Sequence, residues 1–548
     1  MDVGRSLLFL LLTSIFLLPS HSQSSDSFTS VLVSQNGLDF VKNLLVNKAI
    51  ASIIPLQIPR IEKYMRIPFL GGIDVVVSNL TIYELDVASS YVKLGDTGVV
   101  ILASGTTCDL SMNWHYSYST WFPPIEISDQ GIASVQFGLL LCSFFISVLQ
   151  REFADSGLLR LVCCFAHFLY LFYKGNLLIL AFSGKVEGME IGLSLGLKSD
   201  EGGLKLSLSE CGCHVNNINI ELEGGASWFY QGMVNAFKDQ IGSSVESTIA
   251  KKLTEGVSDL DSFLQSLPKE IPVDDKAALN VTFTTDPILK DSSITFEIDG
   301  LFNKRKTNHV LKSFRESVSS VICPGNSKML GISVDEAVFN SAAALYYNAE
   351  FMQWVVDKIP EQSLLNTAKW RFIIPQLYKK YPNQDMNLKI SLSSPPLVKI
   401  SEQYVGANVN TDLVINVLEA NKVIPVACIS LVIRGSGALQ VMDNNLGGSV
   451  SLQDFSMTLK WSNIGNLHLH LLQPIVWTVI QTVFVPYAND HLEKGFPLPI
   501  IHGFTLQNTE IICSSSEITV CSDVAYLDSS QLPQSHLSLP RSMPWKTK

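Results

Sequence analysis

The sequence is short of what marks most catalysts and nucleic-acid binders. Charged residues make up only 16% of its 548 residues, and the 39 Lys and Arg are outnumbered by 50 Asp and Glu. The formal net charge of −11 argues against nucleic acid as a partner, because phosphate binding needs clustered cations. No G-x-S-x-G elbow, P-loop or H-E-x-x-H is present, so nothing marks a nucleophile, a nucleotide cradle or a catalytic zinc. We expect no enzymatic activity, no catalytic residue, no metal and no cofactor. Ten cysteines over this length exclude a small disulfide-dense scaffold. Cys211-Gly212-Cys213-His214 lacks the second ligand pair a zinc site needs; it reads as a packed or disulfide-bonded segment. His468 and His470, in LHLH, read as a solvated strand face.

What is present is apolar pattern. Arg5 followed by the apolar run 7–18 and the break at Pro19 to Gln23 reads as a signal peptide over residues 1–22, so a secreted, extracellular protein is expected. In that setting the sequons at Asn79 and Asn280 are glycan candidates. Residues 34–54 read as a helix. Leu38, Val41, Leu44, Leu45 and Ala49 form its apolar stripe, with Lys42, Asn43 and Asn47 on another face. Ile73, Val75 and Val77 alternate with polar residues, as do Met189, Ile191, Leu193, Leu195 and Leu197. That period of two predicts half-buried antiparallel sheet. A second helix is expected over 227–253, with Tyr230, Val234, Phe237, Ile241, Val245 and Ile249 as its stripe.

The pattern fades over 303–325, around Lys304, Arg305 and Lys306, and ends in the turn chemistry of Pro324-Gly325. We expect a linker there, between domains at 28–302 and 326–525. The second half repeats the grammar of the first. A helix is expected at 334–357, then strands at 386–392, 407–418, 423–433, 448–452 and 456–461, then a helix at 471–494 and a last strand. The tail 529–548 is polar with three prolines and is expected to be disordered.

Longer motifs carry a family resemblance. The second half contains FNSAAALYY, KKYPNQDMNLKISLSSPP and WSNIGNLHLHLLQPIVWTVIQTVFVPYANDHLEKGFPLP; the first contains EGMEIGLSLGL followed by CGCHVNNINIEL. Together these resemble the bactericidal/permeability-increasing and lipopolysaccharide-binding protein family, related to phospholipid- and cholesteryl-ester-transfer proteins. The resemblance implies an α+β fold: a two-domain boomerang of twisted antiparallel barrels, each wrapping long helices, joined by a central sheet. It also implies apolar pockets for lipid tails, for which Leu38, Val41 and Leu45 on the first helix and Phe237 and Ile241 on the second are the candidate walls. The implied partners are lipopolysaccharide and phospholipid, met as lipid aggregates or membrane surfaces, in innate immune recognition. Phospholipid transfer without a microbial role is the alternative.

Two departures from the family pattern stand out. Its mammalian members tie the strand cysteine to the second helix, but residues 242–253 contain no Cys. Cys211 or Cys213 must then pair elsewhere, with Cys108 a candidate, or stay free. Its endotoxin-binding members carry a cationic hairpin tip, but residues 113–124 contain no Lys or Arg. From 24 to 300, leaving out 137–185, there are 14 Lys and Arg against 29 Asp and Glu. We expect an aromatic tip instead, with Trp114, Trp121 and Phe122 at a lipid interface.

The family pattern also runs from residue 136 almost directly to 186. Residues 137–185 are therefore an insertion, almost wholly apolar over 158–182. A membrane span there would put the two ends of one sheet on opposite sides of a bilayer. Phe, Leu, Cys and Val dominate it, and their codons are T-rich, as an intron retained in frame would be.

Overall fold

The computed structural model describes residues 27–67, 71–95, 98–119, 126–133, 181–223, 237–290, 292–304, 323, 327–349, 352–357, 362–420 and 422–527. The expected signal peptide, residues 134–180 of the insertion region, Trp121, Phe122, most of the expected linker and the tail lie outside the described residues. The chain divides into two compact units. The smaller holds Val41–Gly196 and Leu206–Asp261; the larger holds Met1–Phe40, Leu197–Lys205 and Ser262–Lys548.

The chain begins with β1 (Thr29–Ser34) and α1 (Gln35–Ile53). Strands β2 (Leu56–Ile58), β3 (Ile61–Ile67), β4 (Gly71–Leu94), β5 (Gly98–Ser119), β6 (Glu126–Ala133), β7 (Ala181–Asp200) and β8 (Gly203–Glu223) follow, then α2 (Lys238–Gln265). The sheet order is β2-β4-β5-β7-β8, with β3 on β4 and β6 on β5. Such long strands stay one-sided only by correcting their phase. In β4, Ile73, Val75 and Val77 are buried. The register then shifts between Ser78 and Thr81, where Asn79 takes a φ of 51°, and Leu80 and Ile82 become the buried residues. A second shift before Glu84 returns the inward face to Leu85. Bulges of this kind also bend and twist a strand, which curls the sheet. The curled face packs on α2, whose Ile241, Val245 and Ile249 are all but fully buried.

The chain continues through β9 (Glu270–Pro272), β10 (Ala277–Asn280), β11 (Ile288–Lys290), β12 (Ser293–Ile298), β13 (Phe302–Lys304) and β14 (Leu330–Asp335) to α3 (Glu336–Asn348). Next come β15 (Gln353–Val356), α4 (Pro375–Lys380), β16 (Asp385–Leu392), β17 (Leu397–Ile400), β18 (Val405–Glu419), β19 (Lys422–Met442) and β20 (Asn445–Ser462). Helix α5 (Leu469–Val479) passes through a π-helical turn, Ile480–Phe484, into α6 (Val485–Leu492). Strands β21 (Phe496–Pro497), β22 (Phe504–Ser514) and β23 (Glu517–Tyr526) end the described chain. In the larger unit a six-stranded sheet has the order β11-β12-β1-β14-β23-β22, and a seven-stranded sheet is built on β15-β16-β18-β19-β20-β21.

The α+β expectation holds, with two units of antiparallel sheet and helix. Several boundaries are corrected. Strands from either side of the expected linker share one sheet, because β1 pairs with both β12 and β14; a cut at 303–325 would therefore divide a hydrogen-bonded ladder. Phe302–Lys304 is itself a strand paired with β10. The two short strands expected at 448–452 and 456–461 are one strand, β20, which follows β19 through register shifts at Cys428/Ile429 and Arg434/Gly435. Residues 181–185, assigned to the insertion, belong to β7: Gly184 and Lys185 pair with Leu110 and Asp109.

Candidate functional site

The larger unit contains a narrow apolar cavity, about 20 Å³ by the space open to the centre of a water-sized sphere. Its floor is one face of three neighbouring strands. Leu388 pairs with Ile415, and Ile390 pairs with Leu413, which in turn pairs with Ile429. Period-two alternation puts all of these on one side. Its roof is helical: Leu472, Ile475, Val476 and Val479 of α5, then Ile480 and Phe484 of the π-helical turn. Trp370 adds to the wall. Thr411 is the one lining residue with a polar side-chain atom apart from the Trp370 indole, and both are satisfied internally. The Thr411 hydroxyl donates to the Ser391 carbonyl at 2.9 Å, and Trp370 Nε1–H donates to the Leu364 carbonyl at 2.7 Å.

The helix hides its own hydroxyls in the same way. Thr478 donates to the Pro474 carbonyl and Thr482 to the Thr478 carbonyl. By length and composition, Leu469–Leu492 could cross a membrane. Its Leu472, Ile475, Val476, Val479 and Ile480, however, are buried in the unit's core. The cavity thus offers no free hydrogen-bonding group and no charge. It can hold hydrocarbon by burial, at about 0.8 kcal/mol per methylene, and it has no group for acid–base or nucleophilic work.

The described residues among those expected to line a lipid site lie in several places. Phe237, Ile241 and Trp114 come together, but as the closed core of the smaller unit, at 3%, 1% and 6% exposure. Trp114 alternates inward with Leu110 and Met112 along β5, so it is not at an exposed tip. Leu38 is buried in the larger unit, Leu45 is half-buried and Val41 is exposed. The face of α1 is rotated from the expected one because Lys42 turns inward. It is 7% exposed and its Nζ donates to the Ser90 carbonyl at 2.8 Å. A long methylene stem lets Lys pack among apolar side chains while its head reaches a carbonyl.

The sequons are differently placed: Asn79 is exposed at the β4 bulge, whereas the half-buried Asn280 accepts hydrogen bonds from Thr282 N–H and its hydroxyl.

The disulfide candidates are corrected. Cys108, Cys211 and Cys213 are free thiols. Cys108 lies on β5 and the other two on β8, with β7 between them. Two strand spacings are about 9–10 Å, beyond the roughly 4.4–6.8 Å over which Cα atoms can be bridged. Burial, with the neighbouring Asp109 carboxylate, pushes Cys108 up to about 12. Burial, then Glu246, Cys211 and Cys108, pushes Cys213 up to about 12. Among the described residues a disulfide joins Cys323 to Cys521, with Cα atoms 5.8 Å apart. His468 and His470 are not on a strand: His468 caps the start of α5 and His470 lies in its first turn. Among the described residues, no group of three or more His, Cys, Asp and Glu is placed to hold a metal ion.

Two units of curled antiparallel sheet on helices, one holding a wholly apolar cavity, define an α+β protein whose candidate site works by burying apolar surface. Sequence profiles of the LBP / BPI / CETP family match both parts of the chain, the N-terminal domain over residues 37–266 and the C-terminal domain over 272–526. The chain belongs to that family. It is 82% identical over 535 residues to an Arabidopsis thaliana protein carrying the BPI/LBP family name, covering 97% of this chain and 100% of that one. It is 24% identical over 508 residues to the bactericidal permeability-increasing protein of Sebastes schlegelii, covering 90% and 94% of the two chains. Its fold matches a crystal structure of lipopolysaccharide binding protein with a TM-score of 0.57 at 18% identity, covering 92% of this chain and 100% of that one.

Proposed function

We propose that the chain is an exported, non-enzymatic lipid-binding protein. It shelters the acyl chains of lipopolysaccharide, and of phospholipid, in its apolar cavity, in recognition of bacterial lipid as part of innate immunity. The observation that carries this reading is the cavity wall itself: strand and helix side chains of the unit's core that border a narrow apolar space between sheet and helix, with the Thr411 and Trp370 polar atoms bonded away from it. Family membership supports lipid binding in general, and the names of the relatives point to lipopolysaccharide. A glycan at the exposed Asn79 and an aromatic contact through Trp121 and Phe122 belong to the same reading. The test is a titration of the purified full chain with labelled lipopolysaccharide, with unlabelled lipid A as competitor. Saturable, displaceable binding is expected, and its absence would retire the lipopolysaccharide part.

A second reading is phospholipid transfer between membranes without a microbial role. The net charge of −11 and the lack of any cation in residues 113–124 favour it, since lipid A phosphates would find no cationic grip there. Transfer of labelled phospholipid between vesicles, without binding of lipopolysaccharide, would decide for it.

A further inference from the structure

Against the acidic whole, residues 366–381 (NTAKWRFIIPQLYKKY) carry four cations, Lys369, Arg371, Lys379 and Lys380, and no Asp or Glu. The segment is firmly braced from inside. Thr367, Trp370, Ile374 and Leu377 are buried. The backbone N–H of Ile374 donates to the Trp370 carbonyl at 2.7 Å, and that of Gln384 donates to the Thr367 hydroxyl at 2.9 Å. With those four side chains held inward, the four cations and Phe372 are turned out. Phe372 is 77% exposed, and the Arg371 guanidinium stands 4.5 Å from its ring.

None of the four cations is ion-paired with a described residue; the Lys380 ammonium donates to the Asn463 carbonyl at 3.3 Å and lies over the Tyr381 ring. The adjoining loop 462–468 contains no acid. The described acids at this end of the sheet are Asp357, just past the end of β15, Asp385, which accepts from the Asn366 amide, and Glu419, next to the register partner of Asp385. An exposed aromatic ring framed by cations that form no ion pair with a described residue suits the boundary between headgroups and acyl chains of an anionic bilayer. Trp370, immediately before Arg371 and Phe372, is part of the cavity wall.

We propose that Asn366–Tyr381 docks the larger unit on anionic phospholipid bilayers, with Phe372 entering the interface and Lys369, Arg371, Lys379 and Lys380 facing the headgroups. This rests on the lipid-binding reading but is separable from it by experiment. The full chain would be co-sedimented with phosphatidylcholine vesicles, with and without about one-third phosphatidylglycerol, at physiological and high salt. We expect roughly tenfold or stronger binding to the anionic vesicles, at about a fivefold gain per cation engaged, weakened by salt.

The Lys369→Gln/Arg371→Gln/Lys379→Gln variant should lose most of that preference. Phe372→Ser should bind both compositions about tenfold less tightly. All these side chains are exposed, and uptake of a fluorescent fatty acid in vesicle-free solution should be unchanged in both variants. Equal binding of wild type to the two compositions, or vesicle binding unaltered in both variants, overturns the proposal whatever the fatty-acid result. Vesicle preference without fatty-acid uptake would instead sink the cavity reading and leave the docking tip standing.

Discussion

Ala133 and Gly184 take neighbouring places on one flank of β5. Ala133 faces Met112 and Gly184 faces Leu110, with only Ser111 between. β6 and β7 are thus two parts of one line, and the chain between them leaves and returns at a single point. Deleting residues 135–183 would leave Ser134 opposite Ser111 and join the two strands in register. We expect that variant to keep the near-UV circular dichroism of the full chain, with Tm no lower. Deleting 135–184 shifts the register by one residue and turns the following side chains to the other face, so its Tm should fall by several degrees or the fold be lost. Equal behaviour of the two deletions would contradict the register argument.

The cysteines should separate by chemistry. Cys323 and Cys521 close a long loop, and their bond should stabilise the fold by roughly 2–5 kcal/mol, so Cys323→Ala/Cys521→Ala should lower the denaturation midpoint. In the folded protein, Cys108 and Cys213, whose thiols are held near 12 by burial, should alkylate slowly at pH 8. After denaturation without reductant, Cys108, Cys211 and Cys213 should all label and Cys323 and Cys521 should not. Mass spectrometry of the peptides reads both results; a cross-link from Cys108 to β8 would overturn the assignment.

Filling the cavity should compete with ligand. Val479→Phe projects a ring from the helical roof into space otherwise open to two or three methylenes. Affinity for a fatty-acid probe should fall about tenfold or more, and overpacking this buried wall should also lower Tm. Trp477→Phe, on the exposed side of the same helix and packed on Phe455, should leave affinity unchanged. Fluorescence titration distinguishes them, and equal losses would place the ligand elsewhere.

Asp299 offers a pH test. Burial raises its carboxyl above the ordinary value, and the Leu301 N–H bonded to Oδ1 at 2.9 Å only partly offsets this. The folded state therefore holds a proton that the unfolded chain has already lost, so stability falls as pH rises from the ordinary carboxylate value through the raised one. Asp299→Asn keeps the acceptor and removes the charge. Its Tm should exceed that of wild type at neutral pH, and the gap should close as pH falls toward about 4. A gap independent of pH would contradict this.

Much of the framework is legible in the sequence where one face meets the core and the other meets water. Met189 to Leu197 alternates and is a strand; Phe237, Ile241, Val245 and Ile249 recur at helical spacing and form one buried stripe. Phase changes are harder to read. Nothing in the composition of β4 announces that Asn79 will shift the inward face, and a Lys in a polar-looking position gave no sign of reaching Ser90. The site is hidden for a different reason. Ile415 and Ile429 would alternate in the same way whether they met a neighbouring side chain or a void, so period identifies the face and not what it faces. The Cys323–Cys521 link depends on which strand lies beside which, and no local spacing reveals that.

The position of β1 between β12 and β14 has a consequence for the order of events during synthesis. β1 leaves the ribosome early, but its neighbours follow only after residues 293 and 330, and β23 joins β14 after residue 517. At about 5–20 residues per second, β1 waits roughly 15–60 seconds for its first partner. Throughout that interval Val31, Leu32 and Val33 lack both of the strands they pair with in the fold, and an apolar segment without its partners is open to wrong association. The fold thus asks an apolar segment that needs two partners to wait for both until most of the chain has been made.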